Sequence, residues 1–182
     1  MDKSWFRKLF DRPRQRQLAS IQSKADDGDA GAQFSLGFSF ANRGKATQDY
    51  TQAAHWYLKA ADQNHALAQL NLGRMFAGGQ GVTQDEDKAV MWIQKAARQG
   101  DAGAQHDLGL RCLRARFDGL PQDALESNLE AYKWFRLAAA QDYMGSQAAF
   151  EALSLGMTRE QVAEGNQRAT TFSASSSNPV PA

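Results

Sequence analysis

The chain has a single cysteine, Cys112, among its 182 residues. One thiol excludes an internal disulfide framework, and a reducing cytoplasm is the plain expectation. The sequence has no run of about 18 apolar residues, the length a membrane-crossing helix needs. Its first residues are basic but lack the apolar stretch of a secretory signal. Charge is nearly balanced, with 21 Lys and Arg against 20 Asp and Glu. A net of +1 implies no bulk polyanion as partner, and no nucleic acid is expected.

Residues that carry chemistry are also few. The three histidines, His55, His65 and His106, have no partner at metal-ligand or triad spacing. His55 and His65 read as ordinary surface residues. Cys112 falls on an apolar helical stripe, where a thiol behaves as a small hydrophobe, and no activating base lies near it in sequence. Gly78-Gly79-Gln80-Gly81 lacks the Lys-Ser/Thr of a phosphate loop and follows no strand. The sequence therefore predicts no catalytic residue, no metal and no cofactor.

What it has is repetition. Gly28-Asp29-Ala30-Gly31-Ala32-Gln33-Phe34-Ser35-Leu36-Gly37 returns as Gly100-Asp101-Ala102-Gly103-Ala104-Gln105-His106-Asp107-Leu108-Gly109. A looser copy runs from Asn64 to Gly73. The glutamines at 33, 69 and 105 are 36 residues apart, and Trp56 and Trp92 keep the same step. A fixed period of this size marks a stacked repeat protein, an architecture built for binding surfaces.

Each period holds two helices. The first carries Ala32, Leu36 and Phe40, then Ala68, Leu72 and Phe76, then Ala104, Leu108 and Cys112. That i, i+4, i+8 stripe is one helical face. The glycines beside it (Gly37, Gly73, Gly109) imply close approach of a partner helix, since only Gly lacks a Cβ. The second helix carries Ala53, Trp56, Tyr57 and Ala60, then Ala89, Trp92, Ile93 and Ala96, then Ala131, Trp134, Phe135 and Ala138. One large aromatic among alanines reads as a knob between closely packed helices.

Gly28, Asn64 and Gly100 share one register just after the second helix, and these residue types tolerate the left-handed position that closes a helix. The turns within units are Asn42-Arg43-Gly44-Lys45 and Gly78-Gly79-Gln80-Gly81. Thr83 with Glu86 fits a capping box, and Asp85 to Asp87 place negative charge at a helix start. Trp134 follows Trp92 by 42 residues. The surplus falls in Phe117-Asp118-Gly119-Leu120-Pro121-Gln122-Asp123, which predicts a protruding loop. Thr158 with Gln161 opens a final helix to about Ala169. The Ser-rich residues after Phe172 read as a disordered tail.

The pattern Ala-Gln-x-x-Leu-Gly, a Gly-rich turn, then Asp-x-x-x-Ala-x-x-Trp-x-x-x-Ala-Ala resembles the Sel-one-like repeat (SLR), a relative of the tetratricopeptide repeat. The clearest copy is Ala68 to Ala97, and the resemblance covers roughly Leu18 to Ala169. It implies an all-α fold, an α/α superhelical solenoid of antiparallel helix pairs. The expected organisation is a basic amphipathic segment at 1–13, a solenoid at 14–172 and a tail at 173–182. Within the solenoid, a half-repeat cap at 14–27 precedes repeats at 28–63, 64–99 and 100–141, and a second cap follows at 142–172. The lone cysteine separates the chain from the disulfide-stapled secreted branch of that family. The third copy departs from the pattern, with Cys112 where an aromatic is usual.

The resemblance implies a non-catalytic protein-interaction scaffold or adaptor that binds a peptide or helix of a partner protein in its concave groove. In tetratricopeptide-like units the first helices line that groove, and by register the outward residues are Phe34, Phe38, Leu70, Arg74, His106, Leu110 and Arg114. They run from apolar to cationic, which suits an amphipathic partner ending in acidic groups. The competing reading is that Phe34 and Leu70 only pack against the next helix.

Residues 1–18 hold six Lys/Arg and two Asp. Trp5, Phe6, Leu9 and Phe10 form one stripe of a short helix that Pro13 ends. This segment can dock on the solenoid, serve as a motif for another protein, or lie on an anionic membrane through residues 1–12. Exposing four large apolar side chains is unfavourable, which favours docking. A membrane-surface adaptor recruited through this segment is the alternative function.

Overall fold

A computed structural model of the protein describes residues 19–43, 47–118 and 121–176. Trp5, Phe6, Leu9 and Phe10, part of the Asn42–Lys45 turn, and residues 177–182 of the expected tail lie outside them. The described residues form nine helices and no strand: α1 (19–26), α2 (Ala30–Arg43), α3 (Thr47–Asp62), α4 (Ala66–Gly78), α5 (Glu86–Arg98), α6 (Ala102–Asp118), α7 (Pro121–Ala139), α8 (Ser146–Leu155) and α9 (Arg159–Ser176). The chain divides into two compact units at Ala89/Val90, within α5.

In the first unit α3 packs on α2 and on α4. The alanine-flanked aromatics are buried as the stripes predict: Ala53, Trp56, Tyr57 and Ala60 face inward from α3. Trp56 joins a cluster with Ala25, Ala32 and Leu36, against which Ile21 and Phe40 pack. The Lys59 ammonium sits 4.4 Å from the Trp56 ring centroid. Gly37 lies under the Tyr57 ring, where an added Cβ would be 2.6 Å from Cδ1. Tyr57 also hydrogen-bonds Asn71 of α4, and burial pushes its phenol up to about 12.

In the second unit α7 packs on α6, α8 and α9. Phe135 takes the place of Tyr57, with its ring over Gly109. Trp92 and Trp134 are buried, with Lys95 and Lys133 at 4.1 and 4.3 Å from their ring centroids. A lysine thus covers the outer face of each of these knobs, where the indole attracts a cation.

The closing turn recurs four times. Gly28, Asn64, Gly100 and Asp142 all have positive φ. At each, the residue itself bonds back three positions and its successor five. Asn64 N–H donates to Ala61 O at 3.0 Å and His65 N–H to Ala60 O at 3.1 Å. These are Schellman closures, which satisfy carbonyls that a helix end leaves orphaned. In the first three copies the next residue caps the following helix: Asp29, His65 and Asp101 accept from the N–H of Ala32, Ala68 and Ala104.

The periodic glutamines act at the same corner. Gln33, Gln69 and Gln105 are buried, and their Nε2 atoms donate to the carbonyls of Ala25, Ala61 and Ala97 at 3.1, 3.1 and 3.3 Å. Gln33 and Gln105 also accept from Gln63 and Gln141. Each of these carbonyls already accepts the N–H of Gly28, Asn64 or Gly100, so the amide takes its second lone pair and ties the next helix to the corner.

Three expectations are corrected. Most of Phe117–Asp123 is helical: α6 runs to Asp118 and α7 starts at Pro121, so the described surplus residues lengthen both helices. Proline fits there because the N–H it lacks would have no intrahelical acceptor at the first helical position. The start of α5 is capped by Asp85, whose Oδ1 accepts from Lys88 N–H at 2.9 Å, not by a Thr83–Glu86 box. The final helix is longer than expected, extending beyond Ala169 and Phe172 to Ser176. Gln147 follows the glutamine register but is exposed and bonds Glu151, because α8 starts only at Ser146. The Thr158–Gln161 capping box is present in both directions, at 2.9 and 3.3 Å.

Candidate partner-binding surface

The seven first-helix residues separate into two classes. Phe34, Leu70 and His106 share one register and are drawn into packing. Leu70 is only 4% exposed, so its side chain is committed to the core and offers nothing to a partner. Phe34 is half-buried, with its ring stacked on the His65 imidazole at 4.8 Å and 17°. It also meets Tyr57 at 5.8 Å. His106 is half-buried, 2.8 Å from Ser146 Oγ through Nδ1 and against the rings of Phe135 and Tyr143. The cause is common to the first and third copies. His65 and Tyr143 occupy the position just after the left-handed corner, and their rings fold back over Phe34 and His106.

One turn further along, the side chains face out. Phe38 is 54% exposed and Leu110 38%. Arg74 and Arg114 are exposed. In the first unit Phe38 touches Phe34 at 6.1 Å between centroids, so the exposed ring extends from a packed one. Leu67 was not among the expected residues. It lies seven positions before Arg74, on the same face of α4, and is 47% exposed. Its signal is plain in hindsight, because the other copies have Gly31 and Gly103 at that register.

In the second unit α6 concentrates positive charge. Arg111 is half-buried, and burial holds its guanidinium below the usual value, with the charge of Arg114 adding to the effect. On the opposite side of α6, Cys112 is half-buried, and burial pushes its thiol up to about 11, with Glu130 adding to the shift. A thiol so raised stays protonated near neutral pH and is a poor nucleophile. Among the described residues no group of three or more His, Cys, Asp and Glu could hold a metal ion. No helix among them is long and apolar enough to cross a membrane.

Comparison with known proteins agrees with this geometry. The Sel1 repeat family model matches residues 30–65, 66–101 and 102–143. No curated protein matches the chain. Among solved structures, it resembles the crystal structure of a protective antigen present in uropathogenic Escherichia coli strains, which displays an SLR fold. There the TM-score is 0.76 at 26% identity, over 93% of this chain and 37% of that one. The chain therefore spans little more than a third of the antigen's length. A Sel1 repeat protein from Oxalobacter formigenes has a TM-score of 0.60 at 30% identity, over 75% of this chain and 98% of that one. The three matched segments start at Ala30, Ala66 and Ala102, the first residues of α2, α4 and α6, and with the helix-pair fold they establish that the chain belongs to the Sel1 repeat family.

Proposed function

We propose that the chain is a non-catalytic scaffold that holds a peptide or helix of a partner protein against the outward residues of its first helices. Proteins of this family generally act as interaction scaffolds. The observation that carries the finer reading is the exposure of Phe38, Arg74 and Leu110 one turn beyond the packed Phe34, Leu70 and His106, with Arg114 exposed a turn further on. Large aromatic and arginine side chains dominate protein interfaces, the aromatics through wide contact area and arginine through its planar fork of hydrogen-bond donors. In the first unit Phe38 and Leu67 supply the apolar contact. In the second, Arg114 beside Arg111 supplies positive charge. The partner this suits is an amphipathic segment carrying carboxylates.

The test uses synthetic amphipathic peptides that differ only in having acidic or amidated side chains, with affinity read by fluorescence polarisation. The acidic series binds the parent, and Arg74→Glu with Arg114→Glu weakens it at least tenfold at unchanged melting temperature. Equal affinity for both series would remove the acidic-partner reading. A large loss of stability in the double variant would show that these arginines hold the fold.

The alternative, a membrane-surface adaptor recruited through Trp5, Phe6, Leu9 and Phe10, rests on the sequence stripe alone. Sedimentation with anionic liposomes tests it, comparing the full chain with one starting at Arg14. Loss of pelleting in the shorter chain is its required result.

A further inference from the structure

We infer that α9 is an electrostatically latched strap on α7, released by salt while α6 and α7 stay folded. Of its residues whose burial is described, only Gly165 and Ala169 are buried. By contrast α3, of similar length, buries Ala53, Ala54, Trp56, Tyr57, Ala60 and Ala61. Hydrophobic burial scales with apolar area, so α9 gains far less from its docking than α3 does.

Polar contacts make up the difference. Arg168 gathers three carboxylates. It pairs with Glu126 through both oxygens, with Glu130 at 3.3 Å and with Glu164 at 2.6 Å. Glu126 and Glu130 belong to α7 and Glu164 to α9, so the guanidinium joins the two helices. The cluster holds the Arg168 guanidinium above its ordinary value and the Glu126 carboxyl below its own. Two residues earlier, Asn166 Oδ1 accepts from Tyr132 Oη at 3.1 Å and from Arg136. At the far end the Phe172 ring meets Trp134 edge-on at 5.0 Å, with Lys133 beside both.

The latch is also open to solvent. Glu130, Lys133, Glu164, Gln167, Arg168, Thr171 and Phe172 line an open cleft of about 600 Å³. Ions reach the cluster through it. At 1 M salt the screening length falls to about 3 Å, comparable with the spacings within the cluster. Local opening then needs no global unfolding, because segments with little buried apolar contact open on their own.

Hydrogen exchange on the full chain tests this at 0.05 M and 1 M sodium chloride. The expected result is a roughly tenfold faster exchange of α9 amides at high salt, the equivalent of about 1.4 kcal/mol from an exposed ion-pair network. Amides of α6 and α7 change less than twofold. Arg168→Gln brings the fast α9 exchange to low salt, and Arg168→Lys restores part of the protection. Unchanged α9 exchange across salt would overturn the inference. So would α7 amides losing protection in step with α9, which would make the two helices one cooperative unit.

Discussion

Gly109 lies directly beneath the ring of Phe135: a Cβ built on it would sit 2.7 Å from the ring's Cε1. Phe135 is fully buried, so the ring has no room to move away. Two effects oppose each other in Gly109→Ala. Helix propensity favours alanine by about 1 kcal/mol. Overpacking a tight core costs about 1–3 kcal/mol. The clash wins here, and thermal unfolding is expected to show a net loss of stability. Gly78→Ala is the control, because the nearest atom to its Cβ is a flexible Gln80 carbon at 3.5 Å. That variant is expected to be neutral or slightly more stable.

The glutamine corner predicts a second loss. Gln105→Ala removes the donor to Ala97 O and the acceptor for Gln141. Ala97 O keeps the Gly100 N–H, so the loss is that of two hydrogen bonds at about 0.5–1.5 kcal/mol each. Gln147→Ala, at the same register but exposed, is expected to change stability by less than about 0.5 kcal/mol. Chemical denaturation of the two variants side by side separates them.

Acid is expected to loosen the start of α5. The Lys88 backbone N–H, bonded to Asp85, holds that carboxyl below its ordinary value, with the Lys88 side chain assisting. A depressed folded value means the cap stabilises above the unfolded carboxylate range. That contribution fades as pH falls below about 4 and is gone beneath the folded value. Amide exchange in the first turn of α5 should therefore quicken on acidification relative to mid-helix amides. In Asp85→Ala the first turn is fast already at neutral pH, and acid adds no further change. Equal protection in parent and variant at neutral pH would contradict the assignment of this cap.

The repeat was legible because its parts are local. The period of Gln33, Gln69 and Gln105 and the Trp-centred alanine stripe mark helices through spacing alone, and Gly28, Asn64 and Gly100 mark their ends through the one conformation those residues favour. The surplus in the third copy was not legible, because length alone does not tell a loop from two longer helices. The cap of α5 was misplaced by two residues, since Thr83 and Asp85 both have capping chemistry and only the backbone path selects one. Leu70 differs for another reason. Its exposure depends on what lies over it, which spacing does not show; for its counterparts Phe34 and His106 the cover is the corner residue, His65 and Tyr143. Periodicity finds the face of a helix but not what shields that face.

The most direct test of the scaffold reading is site-specific photocrosslinking with benzoylphenylalanine in extracts of the native cell. Positions 38, 110 and 114 lie on the proposed surface, and Leu58 and Lys95, exposed on second helices, serve as controls. The account predicts one common adduct band at the first-helix positions, absent at 58 and 95 and competed away by acidic amphipathic peptide. Adducts confined to the second-helix positions, or first-helix adducts that the peptide does not displace, would contradict it.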